Sequence, residues 1–145
     1  MTLIGIDAVI KNFVHLHLFE PVTVWKNFFG IDFHLHYVTN RGGAWGLGAA
    51  FHEPLLILRI LVILGLGAYL CIKTVPFKKS LFITLILSGA IGNVIDSFLY
   101  GHVIDMFHFI FWKRSYGIFN FADGMIFLGG FCLLFAAKKL APASH

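Results

Sequence analysis

Three carboxylates and two asparagines lie inside apolar stretches of this chain. Asn93 and Asp96 fall in Gly89-Ala90-Ile91-Gly92-Asn93-Val94-Ile95-Asp96, Asp105 in His102-Val103-Ile104-Asp105, and Asn120 and Asp123 in Phe119-Asn120-Phe121-Ala122-Asp123. A carboxylate at bilayer depth is costly unless it faces a polar interior or a water-filled cavity, so each is a functional candidate. Two carboxylates a few Å apart cannot both ionise cheaply, and the pair keeps one proton. Its ionised member can take a proton from water as that water attacks a carbonyl, while the protonated member supports the developing oxyanion. Such a pair titrates as a unit, and the sequence leaves open which member is base and which is acid.

Asp105 and Asp123 are the pair that the spacing favours. One closes an apolar run and the other opens the next, with Met106 to Ala122 between them, so both lie near one membrane face. Helical geometry separates Asp96 from them. Gly89, Asn93 and Asp96 share a face at i, i+4, i+7, whereas Asp105 lies about 900° further round an ideal helix than Asp96 and points the other way. The expectation is a helix break near Gly101, with Asp96 as a structural polar anchor. Asn120 and Asp123 stand at i, i+3, where the amide can support the carboxylate. Ser88 and Gly92 form a small-xxx-small pair suited to close helix packing.

These residues must be held by membrane elements. Hydrophobic residues make up 59% of the 145 and charged residues 12%, far from the balance of a soluble domain, and the length fits one domain, 1–145, with room for four spans. The expected fold is an all-α membrane protein: four transmembrane helices, about 2–18, 54–75, 81–100 and 120–137, with a small extracytoplasmic β-sheet formed by the outer loop 19–53. Pro54 suits a first helical turn, Pro76 stops a helix, and Ser80 is the expected N-cap of the next. The longer runs match a hydrocarbon core of ~30 Å at ~1.5 Å per residue. Thr2 to Leu18 is short for a span unless residues upstream belong to it. The competing reading is a cleaved signal peptide, which lacks here a charged region before the apolar core and a small-x-small site before Glu20. Asp7 and Lys11 stand one turn apart and can pair.

In the outer loop, Ile31 to Thr39 alternates with a period of two, the pattern of a strand, and Asn40-Arg41-Gly42-Gly43-Ala44-Trp45-Gly46 reads as a turn or tight loop. The second outer connection, Met106 to Ile118, is aromatic, with Phe107, Phe109 and Trp112 either anchoring at the interface or forming a wall for acyl chains. Lys73, Lys78, Lys79, Lys138 and Lys139 fall on one side and Lys26, Arg41, Lys113 and Arg114 on the other, a bias that weakly favours cytoplasmic termini. Cys71 and Cys132 sit in spans as free thiols. No motif for nucleic acid is present.

In order along nearly the whole chain, Asp7 with Lys11, Asn40-Arg41-Gly42-Gly43-Ala44-Trp45, Gly89 with Gly92-Asn93-Val94-Ile95-Asp96, Val103-Ile104-Asp105-Met106 and Phe119-Asn120-Phe121-Ala122-Asp123 resemble the lipoprotein signal peptidases, or signal peptidase II. These are small four-span aspartic proteases of the bacterial inner membrane. The resemblance implies that Asp105 and Asp123 are the catalytic dyad. It implies that Asn40, Gly89, Asn93, Asp96 and Asn120 line the site and bind substrate, with Asp7, Lys11, Gly43 and Ala44 in support. It implies a multi-pass enzyme with its site near the periplasmic face, acting as a monomer without metal or organic cofactor. The substrate would be a prolipoprotein cut before a diacylglyceryl cysteine, and globomycin-type cyclic peptides would inhibit. Two positions depart from the family: Ser97 stands where an Arg usually follows the Asp, and Ala8 where a Gln does. Arg59 and His102 are the candidates for the missing cation beside Asp96.

Other readings compete. His15/His17 and His34/His36 are HxH pairs, and the second would share a strand face as metal ligands do, though no third ligand is placed by the sequence and His52-Glu53 lacks the second His of a zinc protease motif. Asp96, Asp105 and Asp123 would also serve a proton-conducting transport subunit, which calls for carboxylates spread through the membrane depth. An altered or inactive peptidase is the reading that Ser97 motivates.

Overall fold

Gly101 decides the architecture. Its φ of 71° is left-handed, and its N–H donates to the Ser97 carbonyl at 3.1 Å, closing the preceding helix as glycine does with least steric cost. The β-branched and aromatic run that follows then leaves as a strand. In the computed structural model, which describes residues 2–42 and 52–140, the order is α1 (Leu3–His17), β1 (Val22–Phe28), β2 (Ile31–Asn40), α2 (His52–Ile72), α3 (Phe77–Tyr100), β3 (Val103–Phe111), β4 (Arg114–Ser115) and α4 (Phe121–Leu140). Gly43, Ala44 and Trp45 lie outside the described residues.

The strands form one antiparallel sheet in the order β1-β2-β3-β4. "All-α" is therefore too narrow, and the loop after α1 supplies only half of the sheet. The stretch read as an aromatic connection, Met106 to Ile118, is largely strand, because once α3 stops at Gly101 its residues pair with β2. Both two-residue hairpin turns, Phe29-Gly30 and Trp112-Lys113, have positive φ at each central position, as the twist of type I′ hairpins demands. Without Asn-Gly in either turn, the sequence did not announce them.

The β2–β3 register slips between Leu35↔Phe107 and Val38↔Asp105, an extra residue in β2 that makes a bulge. Side chains alternate faces along a strand, so this slip sets the phase of everything beyond it. It puts Val38 and Asn40 on the same face as Asp105 and Val103. The other face of β3 turns Ile104 and Met106 onto Val14 of α1, a buried cluster flanked by Ile10, Leu18, Tyr37 and Tyr100.

The helices differ from expectation by a few residues at either end, α4 running on to Leu140. α3 begins at Phe77, so Ser80 is inside the helix, its N–H donating to the Pro76 carbonyl at 2.9 Å, and Pro76 occupies the cap with no side-chain bond. Proline fixes φ near helical values, which suits a helix start, but it offers no side-chain acceptor to the first-turn N–H groups. α2 starts at His52 and ends at Ile72, short of Val75. α4 starts at Phe121 rather than Asn120, which caps it. Among the described residues, two helices, α2 and α3, are long and apolar enough to cross a membrane, with mean hydropathy 2.6 and 1.7 over their best windows.

α3 packs closely against α4 and α1. A Cβ on Gly89 would collide with the Ala122 carbonyl oxygen, and one on Gly92 would stand 2.6 Å from Asp7 Oδ2. Glycine at these positions lets backbone and carboxylate approach the helix.

Candidate active site

α1 presents Asp7, Lys11 and Val14 as a buried stripe at i, i+4, i+7. Lys11 is 1% exposed, and its Nζ donates to three acceptors: Asp7 Oδ2 at 2.8 Å, Asp96 Oδ2 at 2.8 Å and Asn93 Oδ1 at 3.0 Å. An ammonium has three donors, so the group is satisfied. The carboxylates also take backbone donors, Asp7 from Ala122 at 3.0 Å and Asp96 from Ile104 at 3.2 Å. Lys11, not Arg59 or His102, is thus the cation beside Asp96. Arg59 instead donates to the Gly42 carbonyl, and His102 shares a hydrogen bond with the Tyr37 hydroxyl. The Ser97 hydroxyl turns back to the Asn93 carbonyl at 3.0 Å.

Asn93 links this cluster to the carboxylates nearer the sheet. With Oδ1 held by Lys11, its Nδ2 points at Asp123 Oδ1, 2.8 Å away. Asn120 caps α4 reciprocally. Its Oδ1 accepts from the Asp123 N–H at 2.8 Å, and Asp123 Oδ2 accepts from the Asn120 N–H at 3.3 Å, a capping box with Asp in place of Glu. The expected support of Asp123 by the Asn120 side-chain amide is replaced by this backbone exchange. That amide donates instead to Asp105 Oδ1 at 2.7 Å and Asn93 Oδ1 at 3.1 Å. The second Asp105 oxygen accepts from Asn40 Nδ2 at 2.9 Å, because the bulge makes the two residues diagonal neighbours on one sheet face.

Asp105 and Asp123 line one cavity of about 700 Å³ together with Asn40, Asn93 and Arg59. The rest of its wall is mainly apolar, with Phe109, Phe111, Tyr116, Ile118, Phe119, Ile126 and Phe127. Of the three aromatics expected there, Phe109 takes part. Phe107 lies against Phe33 and Phe119, and Trp112 stands at the hairpin beside Gly30, 75% exposed. The alternation of β3, with Val103, Asp105, Phe109 and Phe111 all facing the cavity, could have identified Phe111 had the segment been read as a strand. A second cavity reaches Asn40 and Asp105 from the side of His108 and Ser115.

Burial pushes the Asp105 carboxyl up to about 6, and the Asp123 charge adds to that, against the amide bonds from Asn40 and Asn120 that favour the ionised form. Gly89, Asp96 and Asn120 are not among the cavity-lining residues: Gly89 sits at the α3–α4 contact, Asp96 in the Lys11 cluster, and Asn120 is fully buried with its amide on Asp105 and Asn93. Among the described residues no group of three or more His, Cys, Asp or Glu is arranged to hold a metal, the His34/His36 pair included.

The family model for signal peptidase (SPase) II matches residues 1–139. This chain belongs to the signal peptidase II family. Relatives named lipoprotein signal peptidase include that of Chlamydia pneumoniae, 35% identical over 131 residues, 88% of this chain and 78% of the relative. Another, from Clostridioides difficile (strain 630), is 38% identical over 143 residues, covering 94% of this chain and 93% of the relative. A bacterial membrane enzyme solved by the in meso method at 2.3 Å shares the fold, with a TM-score of 0.85 at 23% identity over 99% of this chain and 87% of its own. As a signal peptidase II, the protein is a membrane peptidase.

Proposed function

We propose that this protein is an aspartic endopeptidase that removes the signal peptide from diacylglyceryl-modified prolipoproteins, cutting before the lipidated cysteine. The observation that carries the reading is the placement of Asp105 and Asp123 in one largely apolar cavity, both held by amide donors. The pair holds one proton. The ionised carboxylate takes a proton from water while that water's oxygen bonds to the scissile carbonyl carbon, and the protonated carboxyl stabilises the oxyanion. Collapse then breaks the C–N bond as a proton passes to the leaving amine of the cysteine. The pair ends with one proton, as it began.

Asp105, Asp123, Asn40, Asn93 and Asn120 form the working site in this reading. Lys11, Asp7 and Asp96 fix it from below, and Gly89 acts by letting α3 reach α4. The chain is one domain, 1–145, with all four helices crossing the bacterial inner membrane and the site near the periplasmic face. Support comes from topology: the C-terminal ends of α1 and α3 and the N-terminal ends of α2 and α4 all lead into or out of the sheet region. An apolar wall beside a carboxylate pair suits acyl chains, which lose about 0.8 kcal/mol per CH₂ if drawn into water.

The test is a size shift. Purified protein in detergent, given a diacylated prolipoprotein, should release the signal peptide in a globomycin-sensitive reaction. Equal cleavage of the same precursor without its diacylglyceryl group would remove lipid recognition from the reading.

A further inference from the structure

Arg59 is an unusual residue for its helix. No residue of α2 is buried within the protein, and the helix's mean hydropathy is 2.6. Arg59 stands on the order of 10 Å along the axis from His52, at ~1.5 Å per residue. A guanidinium at such a place is retained only where it faces a polar or water-filled space. Arg59 does, as the one cation among the described residues lining the cavity of Asp105 and Asp123. Yet its hydrogen bond goes to backbone, from Nη2 to the Gly42 carbonyl at 2.7 Å. Gly42 is buried, and its N–H donates to Asn40 Oδ1 at 2.8 Å. With Oδ1 committed, the Asn40 amide directs Nδ2 to Asp105 Oδ2. The chain of bonds runs from a lipid-facing helix to one oxygen of the candidate dyad.

We propose that Arg59 is a positioning residue: by holding the Gly42 carbonyl it sets the orientation of the Asn40 amide, and through it the oxygen of Asp105 that faces substrate. Arg59 is suited to this because its planar, always-charged fork holds a fixed direction that a flexible ammonium does not. The inference rests on the two-carboxylate reading above. It predicts a defect in the chemical step rather than in substrate capture.

The experiment measures kcat and KM on the lipidated precursor for Arg59→Met, Arg59→Lys, Asn40→Ala and the Arg59→Met/Asn40→Ala double variant, across pH. Arg59→Met should lower kcat on the order of 10²-fold, the scale expected of a small misplacement at a reacting centre, with KM near that of the wild type. Arg59→Lys should recover part of it. In the double variant Arg59→Met should add little, since both changes break one chain. Loss of the Asn40 bond removes a donor that favours ionised Asp105, so the alkaline limb of the pH profile should move upward in Arg59→Met as in Asn40→Ala. Additive losses, or a raised KM at unchanged kcat, would mean that Arg59 binds substrate itself and would overturn the proposal. So would an unmoved pH limb, which a simple loop anchor predicts. Should Arg59→Met not fold, Arg59→Lys carries the same comparison at smaller amplitude. Cleavage by an Asp105→Asn variant would instead overturn the dyad reading beneath it.

Discussion

Asp96 and Asp105 differ in their partners more than in their burial, 3% and 2% exposed. Asp96 lies on α3 against the Lys11 ammonium, which also serves Asp7, and none of the three is among the cavity-lining residues. Asp105 lies just past the helix break on β3, held by two asparagine amides and open to a cavity. An ammonium compensates a buried carboxylate and fixes it as structure. Amides orient a carboxylate without neutralising it, leaving its proton able to move. Asn93 connects the two regions, accepting from Lys11 with one end and donating to Asp123 with the other.

The sharpest way to break this contrast is to neutralise the amide-held side. Asp105→Asn or Asp123→Asn should each reduce cleavage by roughly three orders of magnitude or more, since members of a catalytic unit are lost together, while the thermal midpoint in detergent stays near that of the wild type. Residual activity above about a tenth in either variant would end the two-carboxylate mechanism. The ammonium-held side should behave oppositely. Lys11→Met leaves two buried carboxylates without their cation, a loss of about 3–5 kcal/mol when one partner of a buried pair is removed. Thermal unfolding should show it, and Lys11→Met/Asp7→Asn/Asp96→Asn should recover much of the loss. A Lys11→Met protein as stable as the wild type would show that the cluster is not what holds α1 to α3.

The pH profile sharpens the comparison at smaller amplitude. Asp105 is raised from its ordinary range to about 6, so it keeps its proton to higher pH than a solvated aspartate and loses it above that value. If the pair works with one proton, kcat/KM should fall about tenfold per pH unit on the alkaline side, with a limb near pH 6 in the free enzyme. A profile flat from pH 5 to 8 would contradict it.

Much of this was legible in the residues. The i, i+4 pair Asp7 and Lys11, the break at Gly101 and the strand from Ile31 all follow from local rules, because each depends on neighbours along the chain. That Asn40 reaches Asp105 was expected from the family resemblance but not from local rules, since the register behind it depends on a one-residue bulge between β2 and β3 that no periodicity records. Nor were the other two bonds of Lys11: its rotamer reaches Asn93 and Asp96 only because Gly92 lets α1 come close. β3 was hidden by its composition, as Phe107 to Phe111 reads equally well as an interfacial loop until β2 is there to pair with it.

The smallest expected effect lies in the sheet, away from both carboxylate sites. His34, His36 and His108 face one another across β2 and β3, with ring centroids 4.9–6.0 Å apart, and His36 Nε2 and His108 Nδ1 share a proton at 3.2 Å. Burial first, then the neighbouring imidazoles, hold His36 and His108 below the usual histidine value. The unfolded chain therefore binds more protons than the folded one as pH drops through the ordinary histidine range near 6.5. Their contribution to stability is present above that pH and is lost as pH falls through the lowered folded values. The rings are only part-buried, so the change should be modest and local. Amide protection factors along the β2–β3 ladder, taken relative to the intrinsic exchange rate at each pH, should fall between neutral pH and about pH 5, while those of α3 and α4 hold. His108→Gln, which keeps a hydrogen-bonding side chain toward Ser115 but cannot take the charge, should flatten that response. If the ladder in His108→Gln opens with acid as it does in the wild type, the imidazole cluster is not the cause.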